Sequence, residues 1–236
     1  MKLERTYSHL AEEWNEIALE RYEDLIAGKD TTYDEILRPK LLNLILDKPN
    51  ISNVLDVGCG VGVLTEELSK YSQRVKAIDI SSTSIEIAKS NSKNVNIEYE
   101  CVNFFDFNPK EKFSVIVSNM TLMNIPVIEG IFLKIKDIMN ENGAFIFTIT
   151  HPAFWPMYWN YNGQSFDYGE EVEIVREFKT RSKIYTDRKT RHYHRPLEYY
   201  INLIIASGLT LSKFTELKDE NRRTWYPRFL LFECKK

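Results

Sequence analysis

Residues 54–62 read VLDVGCGVG, and no other stretch restricts the possible fold as much. A short apolar run ends at Val57, the backbone turns through Gly58, Cys59 and Gly60, and an amphipathic run begins near residue 62. Glycine tolerates positive φ and lets the backbone lie against a ligand. The helix that follows offers N–H groups with no intrahelical partner. Strand, glycine turn and helix in that order form the setting in which a nucleotide-type loop works.

The residues around the glycines narrow the ligand. A dinucleotide fingerprint, G-x-G-x-x-G, needs glycine at 63, where Val63 stands. Asp56 precedes the first glycine. A carboxylate there repels a pyrophosphate and suits a ligand that carries an ammonium group and no phosphate. Asp79 closes the next apolar run, where a carboxylate can hold both hydroxyls of a ribose. The pattern favours an adenosyl cofactor, with a dinucleotide site or a ligand-free tight turn as the other readings.

The rest of the chain supplies the frame. Strands are expected at 53–57, 74–80, 96–102, 113–119 and 144–150, with helices near 62–70, 83–92 and 126–140. Short apolar strands alternating with helices imply a parallel sheet covered on both faces. Residues 1–30 and about 34–46 carry helical spacing, with Pro39 in or just inside the first turn of the second helix. After Thr150 the rhythm stops. Residues 151–195 hold Trp155, Tyr158, Trp159, Tyr161, Tyr168, Tyr185 and Tyr193; VEIVREF alternates like an edge strand and can form a hairpin with SKIYTD. A helix is expected at 196–206, with Pro196 at its start and Gly208 past its end, then strands at 209–216 and 227–234.

At 236 residues, the chain suits one domain, with 1–48 as an N-terminal helical cover and 151–195 as an insertion over the substrate. A net charge of −3 argues against a protein built around nucleic acid. Cys59, Cys101 and Cys234 show neither disulfide nor zinc spacing, so no metal site is expected and a reducing compartment is. The charged N-terminus is no secretory leader, and no apolar run reaches the ~18 residues of a membrane span, so the default location is cytoplasmic.

DVGCGVG, followed by AIDIS, VNFFD and VIVSNMTLMNI, resembles the class I S-adenosylmethionine-dependent methyltransferases, which implies their seven-stranded, mostly parallel Rossmann-like sheet with a C-terminal antiparallel strand. The resemblance covers about residues 50–150. It implies S-adenosylmethionine as cofactor and S-adenosylhomocysteine as product. It places Asp56, Gly58 and Gly60 against the amino-acid end of the cofactor, with Cys59 as a small filler in the same loop. Asp79 then meets the ribose, Ile80 packs on the adenine, and Asn103 and Phe104 contact the adenine amine and ring. Asn119 and Met120 fall beside the methionine portion. The family often has aspartate at the position of Asn103. Asp106 competes for the adenine contact but reads better as a turn residue in DFNP. HRPLEYYINLIIASGL resembles the ending of quinone and natural-product methyltransferases, where the preceding segment lies over a small-molecule acceptor. Tyr7 and Trp14 could close on the methionine end.

Methyl transfer is an in-line displacement, and a base is needed only where the acceptor must lose a proton. His151, directly after the fifth strand, and His194, in RHYHRP, are the candidate catalytic groups, beside His192. Their structural readings are a loop brace before Pro152 and an anchor of the insertion to the sheet. Residues 176–195 hold eight basic and two acidic side chains. That stretch reads as a solvated hairpin offset by Asp167, Glu170, Glu171 and Glu173 nearby or, alternatively, as a face for RNA, protein or an acidic small molecule. A non-catalytic cofactor-binding protein is the third reading. Acceptor, accepting atom and oligomeric state stay open at this point.

Overall fold

In the strands, residues of one parity enter one apolar layer and those of the other parity enter a second, which is why the sheet is covered on both faces. Leu55, Val57, Ile116, Phe145, Phe147, Leu230 and Phe232 lie in one layer; Val54, Val115, Val117, Ala144, Ile146, Phe229 and Leu231 lie in the other. The computed structural model describes residues 7–155, 166–179, 184–219 and 225–236. Tyr158, Trp159 and Tyr161 of the aromatic stretch, and Arg181 and Lys183 of the basic one, lie outside the described residues.

The elements are α1 (Tyr7–Ile26), a π-helical turn (Tyr33–Leu37), α2 (Arg38–Leu46), β1 (Asn53–Val57), α3 (Val63–Ser69), β2 (Arg74–Asp79), α4 (Ser82–Asn91), β3 (Ile97–Cys101) and β4 (Phe113–Asn119). A 3₁₀ turn (Leu122–Asn124), α5 (Ile131–Ile138), β5 (Met139–Thr150), β6 (Val172–Lys179), β7 (Ile184–His194), α6 (Leu197–Ser207), β8 (Thr210–Leu217) and β9 (Phe229–Lys235) follow. Seven strands form one sheet in the order β3-β2-β1-β4-β5-β9-β8, parallel except for β9; β6 and β7 pair separately as an antiparallel hairpin. This is the expected Rossmann-like sheet with a C-terminal antiparallel strand. The strand order reverses between β1 and β4, and the crevice above that point is where such sheets bind ligands.

The first layer is closed by α5 and α6, through Phe132, Ile135, Tyr200 and Ile204, and Phe147 stacks on Phe232 with centroids 4.5 Å apart. The second is closed by α2 and α3, through Leu41, Leu44, Ile45, Leu64 and Leu68. Two expectations shift. The helix expected over 34–46 is split, because Asp30 Oδ1 accepts the Tyr33 N–H and the chain enters through a π-helical turn. The helix expected over 126–140 shortens to α5. The carbonyls of Ile125 and Pro126 accept from the Arg195 guanidinium instead of from a helical turn, and Met139 already opens β5 opposite Phe113. No helix among the described residues is long and apolar enough to cross a membrane.

Candidate functional site

One cavity of about 620 Å³ opens above the carboxyl ends of β1, β2 and β4, roofed by α1 and the π-helical turn and flanked by the β6–β7 hairpin. Its floor is the glycine loop. The N–H groups of Gly58 and Cys59 both donate to the Ile78 carbonyl, at 2.8 and 3.0 Å, so the loop folds back onto β2. The Gly60 N–H donates to Asp79 Oδ2 and the Ser81 N–H to Oδ1, each at 2.8 Å. Asp79 is thus held at the cavity edge by backbone alone. Burial pushes its carboxyl up, and the N–H groups of Ser81, Gly60 and Ile80 oppose that. Gly58 has φ of 74°, and a Cβ there would run into the Thr121 side chain. Gly60 has φ of 53°, and a Cβ there would meet no protein atom within 4 Å.

Asp56 ends inside the sheet, 1% exposed, and accepts the Thr65 hydroxyl at 2.7 Å. Burial pushes its carboxyl up to about 7, against the Thr65 hydrogen bond, with Asp79 adding to the rise. Above it stands Tyr33, 6% exposed, whose hydroxyl has no hydrogen-bond partner and borders the cavity. Its acidity is suppressed first by burial and then by Asp56. Cys59 lines the loop with its thiol pointed at the Gly60 carbonyl, and burial raises its pKa.

Ile80, Asn103 and Phe104 border the same cavity. The Asn103 side-chain oxygen accepts the Phe105 N–H at 3.0 Å and shapes the turn that presents Phe104. Asp106 does not line the cavity and belongs to that turn. Asn119 Oδ1 accepts the Thr148 hydroxyl at 2.7 Å, and Met120 follows with φ of 57°, a conformation rare outside glycine. Tyr7 and Trp14 of α1 border the cavity as well, Tyr7 donating to the Val127 carbonyl at 3.0 Å. All ten residues assigned to the cofactor from sequence therefore face one space.

The two candidate histidines do not. His151 is 4% exposed and absent from the cavity lining. Its Nδ1 accepts the Ala153 N–H at 3.3 Å and its Nε2 lies 3.0 Å from Glu216 Oε1, so both ring nitrogens are engaged in bracing the loop to β8. His194 is also buried off the cavity, with Nε2 donating to the Tyr168 carbonyl at 3.0 Å and Phe166 against its ring. His192 is the histidine that borders the cavity. It stacks on Trp155 with centroids 4.1 Å apart and lies 3.3 Å from the Thr150 hydroxyl. Burial, then the nearby His194 and Arg195, push its pKa down to about 3.

Arg176 and Lys189 of the basic stretch are exposed, as a solvated hairpin requires, but three of its arginines are engaged. Arg188 pairs with Glu20 at 2.6 Å and donates to the Glu16 carbonyl; Arg191 pairs with Glu13 and, at 2.9 Å, with Glu173. Arg195 is 1% exposed and pairs with Glu171 at 2.7 Å. These arginines strap the hairpin to α1 and to the loop after β4. Sequence reasoning also passed over Tyr33, Thr121 and Arg228, all on the cavity wall. Each gets there through tertiary packing, without a motif.

The residues present fit an adenosyl amino-acid cofactor: an open cradle at Gly60, a carboxylate at the end of β2, and a buried acid and unpartnered phenol beyond the loop. Comparison with known proteins agrees. A profile of the family described as "Methyltransferase domain" matches residues 30–187. The malonyl-[acyl-carrier protein] O-methyltransferase of Acetivibrio thermocellus is 28% identical over 133 residues, 53% of this chain and 47% of the relative. The ubiquinone biosynthesis O-methyltransferase of Bradyrhizobium diazoefficiens is 35% identical over 96 residues, 39% of this chain and 38% of the relative. The match thus spans about half or less of those relatives' length. A solved structure described as an S-adenosylmethionine-dependent methyltransferase from Listeria monocytogenes superposes with a TM-score of 0.68 at 24% identity, over 84% of this chain and 97% of that one. Sheet order, glycine loop and family profile converge on one conclusion: the chain belongs to the class I methyltransferase family, whose cofactor is S-adenosylmethionine.

Proposed function

We propose that this chain transfers a methyl group from S-adenosylmethionine to an oxygen or nitrogen of a small molecule held beneath the β6–β7 hairpin. The observation that carries the reading is the single cavity running from the glycine loop to the inner face of that hairpin. When bound, the cofactor supplies a methyl group activated on a sulfonium. The chain's own residues bind and orient. Asp79 takes the ribose hydroxyls; Ile80, Asn103 and Phe104 hold the adenine. Asp56, the loop glycines with Cys59, Asn119 and Met120 surround the amino-acid end. Residues 1–48 act as the cover and 151–195 as the lid. They exclude water and bring the acceptor into line with the methyl carbon. The names of the curated relatives, O-methyltransferases of an acyl carrier and of ubiquinone biosynthesis, support an oxygen acceptor.

The paired state of Arg188, Arg191 and Arg195 supports a small acceptor over RNA, since charges already neutralised by glutamates release few counterions. Calorimetric titration with S-adenosylhomocysteine, then a methyl-release assay across phenols, amines, carboxylates and tRNA, tests the reading. Cofactor binding with turnover of a small acceptor is expected. Failure to bind S-adenosylhomocysteine would overturn it, and exclusive turnover of tRNA would move it to a different acceptor class.

A further inference from the structure

Asn15 is out of place by helix propensity. It stands in the middle of α1 among alanines and glutamates, where an asparagine weakens a helix that its neighbours favour. The side chain is used across the fold instead. Its Oδ1 accepts the Ser81 hydroxyl at 2.8 Å and the Thr83 N–H at 3.1 Å, with the Ser82 hydroxyl at 3.5 Å. A backbone N–H can only donate, so the atom turned to α4 is the amide oxygen. The contact joins the roof of the cavity to the start of α4 and reaches a largely local site from 66 residues away.

Ser81 carries the contact onward. It is fully buried and caps α4: its hydroxyl oxygen accepts the Ser84 N–H at 3.0 Å while its hydroxyl proton goes to Asn15. Its own N–H donates to Asp79 Oδ1, and the Gly60 N–H donates to Oδ2. Hydrogen bonds therefore run unbroken from α1 through Ser81 and Asp79 to the glycine loop. A carboxylate has about four acceptor positions, so Asp79, on the cavity wall, can still take ribose hydroxyls. Asn15 does not line the cavity and reaches a ligand there only through Ser81. The other ties of α1 lie elsewhere, with Tyr7 on the Val127 carbonyl and Glu13 and Glu20 on hairpin arginines. They can keep α1 seated when the Asn15 link is cut.

We propose that Asn15 is a positioning residue for the ribose site: through Ser81 it sets the Asp79 carboxylate, so that ribose hydroxyls are gripped fully only with α1 seated over the cavity. The proposal rests on the methyltransferase reading above. A buried hydroxyl needs an acceptor for its proton. Without the Asn15 oxygen the Ser81 hydroxyl turns away, the cap on α4 loosens, and the N–H that orients Asp79 shifts with it. By linkage, a ligand that engages Asp79 through its ribose holds α1 down as strongly as α1 improves that ligand's binding.

A cycle between ligand and protein tests this. S-Adenosylhomocysteine and its 2′-deoxy analogue are titrated by calorimetry into wild type, Asn15→Ala and Asn15→Asp. Wild type should prefer the intact ribose by about tenfold or more, as a hydrogen bond to a charged group gives. Asn15→Ala should weaken S-adenosylhomocysteine about fivefold and the analogue less than about twofold, so most of the preference disappears. Asn15→Asp keeps an oxygen in place and should keep the preference within about twofold of wild type. Hydrogen exchange gives a second readout: S-adenosylhomocysteine should slow the α1 amides of the wild type, and the analogue much less. A purely structural role for Asn15 would weaken both ligands by one factor and leave their ratio unchanged. That result, unchanged affinity for both, an aspartate variant that behaves like alanine, or equal protection of α1 by the two ligands would overturn the proposal. Wild-type protein that fails to bind S-adenosylhomocysteine would instead overturn the underlying methyltransferase reading.

Discussion

The two ends of the cavity are built in opposite ways. The cofactor end is made of backbone and neighbours in sequence: Gly60 reaches Asp79 across 19 residues, and Gly58 and Cys59 share one carbonyl of β2. The acceptor end is made of side chains brought together from far apart. Thr150 meets His192 across 42 residues, Arg195 meets Ile125 across 70, and Arg191 meets Glu13 across 178. Backbone geometry repeats wherever the same turn is made, so the first end is common to a family. Side-chain contacts are free to vary, so the second end carries what is particular to this chain.

The comparison breaks most sharply at Gly58. Gly58→Val demands a left-handed conformation that valine resists and drives a side chain into Thr121. S-Adenosylhomocysteine affinity is expected to fall by more than ~100-fold, about 3 kcal/mol, in protein that keeps its circular dichroism. Normal binding would show that loop backbone does not set the cofactor end. Asp79→Ala comes next. It removes the acceptor for the Gly60 and Ser81 N–H groups and for the ribose, at roughly 1.5–3 kcal/mol for a hydrogen bond to a charged group. A loss of about 10- to 100-fold by calorimetry is expected, with acceptor affinity unchanged. Coupled losses at both ends would mean that the two halves are not separable.

Reversing Arg188, Lys189 and Arg191 to glutamate addresses the other half. On the solvated-hairpin reading this triple changes little. With Glu13, Glu20 and Glu173 facing two of those arginines, it instead sets like charges together and loosens the hairpin from α1. The acceptor KM should rise about tenfold, roughly the 1.4 kcal/mol expected of a few weakened ion pairs, with little salt dependence in the wild type. Steep salt sensitivity together with tRNA binding lost in the triple would favour the RNA reading.

A smaller effect concerns pH. Burial favours the neutral form of Asp56, with its carboxyl near 7, while a cofactor ammonium favours the charged form. Between the unfolded value of 3.8 and about 7 the native state holds a proton that the unfolded chain does not. Asp56 therefore favours folding below that window, and the contribution fades as pH climbs through it. Cofactor affinity runs the other way, rising through pH 7 and levelling above it. Asp56→Asn should flatten that rise, and a wild-type profile already flat from pH 6 to 8 would remove Asp56 from the ammonium site. The smallest change in turnover is expected from His151→Gln. Loss of the Glu216 brace costs about 1 kcal/mol, and the melting temperature falls by about 2–4 °C. With His151 off the cavity wall, kcat should stay within about twofold, and a hundredfold fall would return it to the reaction.

By itself, the sequence determined the alternation of strands and helices, the glycine loop and the pair of acids around it. These depend on periodicity and on conformations few residues tolerate, and both are local. Asp56, Gly58, Gly60 and Asp79 could be located because strand, turn and helix follow one another within 27 residues of chain, from Asn53 to Asp79. Only the tertiary structure decided which histidine reaches the cavity. His192 and His194 share one strand face by parity, yet one borders the cavity and the other packs against Phe166 and Tyr168 where the strand ends. It also decided that the basic stretch straps the hairpin to α1, and that Tyr33 stands over Asp56. Those outcomes depend on where α1 lies across the sheet and how β6 and β7 cross it. Contacts between segments so far apart in the chain leave no periodic trace in either one.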